Sequence, residues 1–205
     1  MKKADLEQNH DPFDAAIARY RGFMARVIEA QRVIRTKTEK QDVAESVLLR
    51  LCAHWEGFVD EHLVDCVNCD HSRLNEFLGV SIPRHPTRNV CQAVLFAGSY
   101  KDFKSFGDLK GFSRKVLHDG SNPFLAVSAP HSAKIDEAFR IRNYLAHYSG
   151  FARRALARMY EHSYSMSRFE QPGRFLLAHS GRRLWGYFDA FGGASADMKA
   201  WCAAL

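Results

Sequence analysis

The chain has no long apolar run. No stretch nears the roughly 18 consecutive apolar residues that a membrane-spanning helix needs, so no membrane partnership is expected. Its start, "MKKADLEQNHDPFD", carries two lysines with no apolar segment behind them and does not read as a secretory leader. Cysteine is sparse and odd in number: Cys52, Cys66, Cys69, Cys91 and Cys202 form no dense framework. That favours a reducing cytoplasm over a disulfide scaffold. Strand-type alternation of polar and apolar residues is nearly absent, which argues against a sheet-based class. There is no glycine-rich phosphate loop and no Gly-x-Ser-x-Gly elbow, which removes the P-loop and α/β-hydrolase chemistries. Internal repeats, low-complexity tracts and blocks of like charge are missing too.

What is present suits one good-sized helical domain. Of 205 residues 46% are hydrophobic and 25% charged, enough for a real core in an ordinary globular composition. The net charge of +6 and a pI near 9.1 favour a polyanionic partner.

Helical spacing recurs along the chain. After Asp11 as N-cap and Pro12 in a first turn, Ile17, Tyr20, Phe23/Met24, Val27/Ile28 and Val33/Ile34 mark a helix over about 14–36. The strongest segment, about 40–69, carries Val43, Val47, Leu51, Trp55, Phe58, Val59, His62 and Cys66 in one broad stripe, with Gly57 outside it. Residues 70–86 read as a loop with one helical turn; shorter helices follow at about 87–100 and 106–118. "DGSNP" (119–123) is a turn.

A long pattern over 132–161 changes face. Ile135, Ala138, Phe139, Leu145 and Ala146 share one side, and Tyr148, Phe151, Ala155 and Met159 another, which predicts a break at Ser149-Gly150. Residues 170–183 suggest a short extended piece. A last helix over about 182–201 is expected to be interrupted at Gly192-Gly193. The reading is all-α: a helical bundle as one domain, core about 12–165, with a C-terminal helical extension over about 166–205.

In "FRIRNYLAHYSG" (139–150), Arg142 falls on the apolar stripe and His147 five positions later. At about 100° per residue the two point roughly 140° apart, so one straight helix does not focus both on one atom. A distorted helix would, and so would a two-fold partner that brings a second pair opposite. Histidine transfers protons near neutral pH, and arginine holds a phosphate through its fork of donors. Together they suit RNA cleavage in which the 2′-hydroxyl is the nucleophile and no metal or cofactor is needed. Spacing alone is weak. With 19 arginines and 10 histidines, chance placement yields about one Arg-x4-His pair, and a second, Arg174 with His179, does occur.

The context adds to it. "RNYLAH" resembles the Arg-polar-x3-His signature of HEPN domains, with Asn143 as the polar neighbour. "LLRLCAHWEGFVDEHL" (48–63) is similar to the hydrophobic helix with a Trp-Glu-Gly-Phe element in one HEPN branch, and "QPGRFLLAHSGRRL" (171–184) to the segment after the motif helix there. The resemblance implies a four-helix bundle core, a homodimer with its cleft at the interface, and metal-independent endoribonuclease activity. It also implies a setting in toxin–antitoxin or antiphage defence, with a cognate antitoxin or defence protein as a partner. Arg142 and His147 take the catalytic places, with Asn143 beside them; Trp55 and Glu56 take the Trp-Glu places. A stripe-edge carboxylate is a natural partner for a semi-buried guanidinium, so Glu56 is expected to orient Arg142. In HEPN toxins paired with a nucleotidyltransferase antitoxin, a modified tyrosine stands two places after the histidine. Here Ser149 holds that place and Tyr148 is one early, so the resemblance does not extend to adenylylation control.

Arg140, Arg153 and Arg154, with the rest of "RRALAR" (153–158) and Arg182/Arg183, are candidates to track an RNA backbone. "CVNCDH" has a zinc-like spacing in Cys66, Cys69 and His71, but no second pair follows, and no metal site is expected. His62 reads as a satisfied core histidine or an interface residue rather than a ligand. "HWEGFVDEH" lacks the His-Glu-x2-His spacing of a metalloprotease. A non-catalytic helical module that binds RNA or a partner protein would carry the same charge and stripes.

Overall fold

A computed structural model describes residues 3–29, 36–83, 85–96 and 103–204. Among them every regular element is helical: α1 Lys3–Gln8, α2 His10–Glu29, α3 Lys37–Cys69, α4 Ser72–Leu78, α5 Arg88–Phe96, α6 Phe106–Val116, 3-10 turns at Asp119–Ser121 and Pro123–Leu125, α7 Ala129–His147, α8 Gly150–Tyr164, α9 Pro172–Leu177 and α10 Arg182–Ala204. The class is all-α. No helix among the described residues is long and apolar enough to cross a membrane.

The 33-residue α3 is the axis, roughly 50 Å long at 1.5 Å per residue. A capping box opens it. The Glu39 amide donates to Thr36 Oγ1 at 3.1 Å, and the Thr36 amide donates to Glu39 Oε2 at 2.8 Å. Its stripe lies as the spacing predicts, from half-buried Val43 through buried Val47, Leu51, Trp55, Phe58, Val59, His62 and Cys66, with Gly57 exposed. Against α3 pack α2, α5, α7 and α9; α10 packs on α7, α2 and α9. One apolar core runs through all of these from Leu6 to Cys202, so the segment after residue 166 shares the core of the rest.

The helix that opens near the N-terminus begins at His10, so Asp11 is an acidic residue inside its first turn and not the N-cap. Val33 and Ile34 lie outside the described residues, and so do 97–100. The break in the long pattern is real and falls at Tyr148, which takes the left-handed conformation (φ 45°) before Ser149 caps α8. Three residues expected to be covered are not: Ala146, Tyr148 and Phe151 are exposed, the last two at 66% and 71%.

Two expectations about the C-terminal part fail, and in both places a glycine lies in close approach to a neighbouring helix. The piece expected to be extended is the short helix α9. Its Gly173 lies on α3, where an added Cβ would stand 2.6 Å from Gln41 Cβ, and its amide donates to Glu45 Oε1 at 2.6 Å. α10 runs unbroken through Gly192-Gly193. Gly193 meets the His131 ring of α7, and a Cβ there would approach that ring to 2.3 Å. The glycine serves helix packing, and packing outweighs the roughly 1 kcal/mol that glycine costs inside a helix.

Candidate active site

Glu56 and Arg142 come from different helices and meet. Glu56 sits on α3 one turn after buried Cys52 and one turn before half-buried Asp60. Facing it on α7, Arg142 brings Nη2 to 3.2 Å from Glu56 Oε1, and its Nη1 donates to Asn143 Oδ1 at 3.1 Å. The two side chains are only 27% and 17% exposed. Such a pair is screened less than a surface ion pair and keeps more of its attraction. Its neighbour Trp55 is 3% exposed, wedged among Phe13, Phe106 and Phe191, and fixes the α3 backbone at this point.

Sequence reasoning missed Asp60. Burial, then the charges of Glu56 and Glu61, push its carboxyl up to about 6. The signal was available in the i, i+4 spacing of Glu56 and Asp60, which stacks two carboxylates on one helix face. Cys52 is an inert core thiol, held above its ordinary range by burial and then by Glu56.

His147 closes α7 and is exposed. The helix is regular over the whole span, so His147 stands about 7.5 Å along the axis and roughly 140° round from Arg142. Glu56, Arg142 and Asn143 are brought together; His147 lies one turn beyond Asn143, about 40° round from it, and points away from Arg142 within one chain. Tyr148 follows it in the left-handed conformation, a placement that costs an L-residue about 1 kcal/mol. The Tyr148 ring leans on Tyr144 at 5.4 Å between centroids.

The exposed faces of α7 and α8 are basic and aromatic. Arg140, Arg154, Tyr148 and Phe151 are exposed, and so is Arg153, whose guanidinium lies 4.5 Å over the Phe169 ring. Arg140, Arg158 and His162 line a concavity of about 330 Å³ between α7 and α8 with Ala155 and Met159. Arg183 is used otherwise: it stacks 4.2 Å over Phe175 and donates to the Phe175 carbonyl. Comparison with known proteins adds no relative: no family model, no curated protein and no solved structure matches the chain.

Proposed function

We propose that the chain is a HEPN-type endoribonuclease that cleaves RNA through attack of the 2′-hydroxyl. In that reaction the 2′-oxygen–phosphorus bond forms while the bond from phosphorus to the 5′-oxygen breaks. The 2′-hydroxyl loses its proton to a base, and the departing 5′-oxygen takes one from an acid. The products are a 2′,3′-cyclic phosphate and a 5′-hydroxyl. His147 is the proton-transfer group; Arg142 holds the negative phosphoryl oxygens, and Asn143 and Glu56 hold Arg142.

The observation that carries this reading is the half-buried arginine of "RNYLAH", clamped by Glu56 and Asn143 on the helix that ends in exposed His147. The roughly 140° between the two residues is the reason to propose a homodimer, in which one protomer's arginine works with its partner's histidine. Arg140, Arg153 and Arg154 would neutralise the RNA backbone, and exposed Tyr148 and Phe151 would stack bases or meet the second protomer. A cytoplasmic role in toxin–antitoxin or antiphage defence, with a cognate control protein, belongs to the same proposal. Analysis of RNA ends after incubation with wild type and with His147→Ala tests it.

One observation favours a second reading. Arg142 uses both terminal nitrogens on protein partners, as a structural anchor in a non-catalytic RNA- or protein-binding module would. In that case Arg142→Ala lowers the melting temperature and no variant alters RNA turnover.

A further inference from the structure

The least explained polar groups in the core lie away from the Arg142 site. His62 is wholly buried, and neither ring nitrogen has a hydrogen-bond partner. The sequence suggests a satisfied core histidine or an interface residue rather than a ligand; the structure places it in the core but leaves both ring nitrogens without a hydrogen bond. Its ring packs on Phe58, on Phe124 and edge-on against His10, with 4.8 Å between the two imidazole centroids. The two phenylalanines offer it no conventional donor or acceptor, and the His10 ring makes no hydrogen bond to it. A buried imidazole in that state forfeits the hydration of two polar atoms.

His10, equally buried, has Nδ1 2.9 Å from Ser195 Oγ, while its Nε2 lacks a partner. If Nδ1 donates to that hydroxyl, the lone pair rests on Nε2, which is how an outer hydrogen bond orients a metal-ligating histidine. The third member is Cys202, in the last turn of α10. One ligand atom from each of His10, His62 and Cys202 lies within 4.8 Å of the others. Tetrahedral bonds of about 2.0–2.3 Å place ligand atoms about 3.3–3.8 Å apart, so roughly 1 Å of side-chain adjustment closes the three on one ion. Cys66 is buried one turn after His62 on the same face of α3; its sulfur lies outside the 4.8 Å group of three, so it completes the set only by a further side-chain adjustment.

We propose that His10, His62 and Cys202 hold a structural zinc ion, with Cys66 as the fourth ligand. Two imidazoles and two thiolates form a closed tetrahedral set of the structural kind. Hard cations such as calcium and magnesium, which take oxygen ligands, do not fit it. The ion ties the start of α2, the last two turns of α3 and the end of α10 together, and so clamps the N- and C-terminal helices onto the axis helix. It leaves no open position for a substrate. His62 stands about 9 Å along α3 from Glu56 and about 120° round the helix, so the site is independent of the ribonuclease reading. The ligands differ from the "CVNCDH" run: Cys69 is exposed and is not among them.

The test refolds the 205-residue chain from guanidinium under reducing conditions, with EDTA, with Zn2+ or with Co2+. Retained metal is then counted after desalting. The wild type retains one zinc per chain, melts about 5–10 °C higher than the EDTA sample, and with cobalt shows the intense visible bands of a tetrahedral thiolate site. His62→Phe keeps a flat ring among Phe58 and Phe124; it folds and loses both the metal and the shift. Cys202→Ala gives the same result if His62→Phe does not fold. Cys69→Ser retains zinc like the wild type. A wild type that retains no zinc and melts alike in zinc and EDTA overturns the proposal. So does zinc that is lost in Cys69→Ser but kept in His62→Phe.

Discussion

Arg142 of α7 and Glu56 of α3 are held 3.2 Å apart in a half-buried pair, and Asn143 takes the other terminal nitrogen of the same guanidinium. Two residues from distant segments thus hold one guanidinium at a set angle.

Glu56→Gln keeps the shape and removes the charge that orients Arg142. It should cost about 1–2 kcal/mol of stability, between the values for exposed and fully buried pairs. Cleavage should fall mainly in kcat, with KM for RNA little changed, and Glu56→Asp should recover part of it. A Glu56→Gln protein that melts lower but turns over RNA at the wild-type kcat would make Glu56 structural only.

Asp60→Asn tests the raised carboxyl. A folded-state value of about 6, above the ordinary 3.8, means that folding disfavours the charged form. The stability from this group is full below about 3.8 and is lost as pH rises through 6. At pH 8 Asp60→Asn should therefore be the more stable protein, by about 1 kcal/mol once solvent screening is allowed for. The gain should vanish near pH 4. Melting temperatures of both proteins from pH 4 to 8 check the sign.

Gly193→Ala places a methyl group against the His131 ring, which Asp197 holds through Nδ1 at 2.8 Å. The overpacking should cost about 1–3 kcal/mol, although alanine is the better helix former. Gly186, also in α10, has nothing within 4 Å of an added Cβ, so Gly186→Ala should be neutral or stabilising. Thermal melts of the two variants separate packing from propensity.

Arg140→Ala with Arg154→Ala removes two exposed cations of α7 and α8. RNA binding should weaken for all sequences alike. The slope of log affinity against log salt should become shallower by about 1.4, the value for two phosphate contacts on a single strand. An unchanged slope, measured by fluorescence anisotropy at several salt concentrations, would place the RNA on another face.

The sequence discloses elements whose stripe faces the core for their whole length, and α3 is the clearest. It discloses the α7–α8 break too, because the stripe changes face there. It hides what depends on close approach of distant segments. Gly192-Gly193 looks like an interruption until His131 is seen against it, and the α9 glycine looks like loop until Gln41 is seen beneath it. The Arg142–Glu56 contact was legible from residue chemistry, as a carboxylate at the edge of one stripe and an arginine on another. Asp60 was legible only in part: the i, i+4 spacing places it beside Glu56, but the burial that is the larger cause of its shifted titration does not show in spacing. His10 and Cys202 lie 192 positions apart (202 − 10), so no local pattern joins them to His62.

The most direct test of the central claim is cleavage of total cellular RNA in excess EDTA by wild type, Arg142→Ala and His147→Ala, with far-UV circular dichroism recorded in the same buffer. The account predicts that wild type leaves 2′,3′-cyclic phosphate and 5′-hydroxyl ends. It predicts that both variants, folded like wild type, are slower by about 100-fold or more. A folded His147→Ala protein that cleaves as fast as wild type would contradict it.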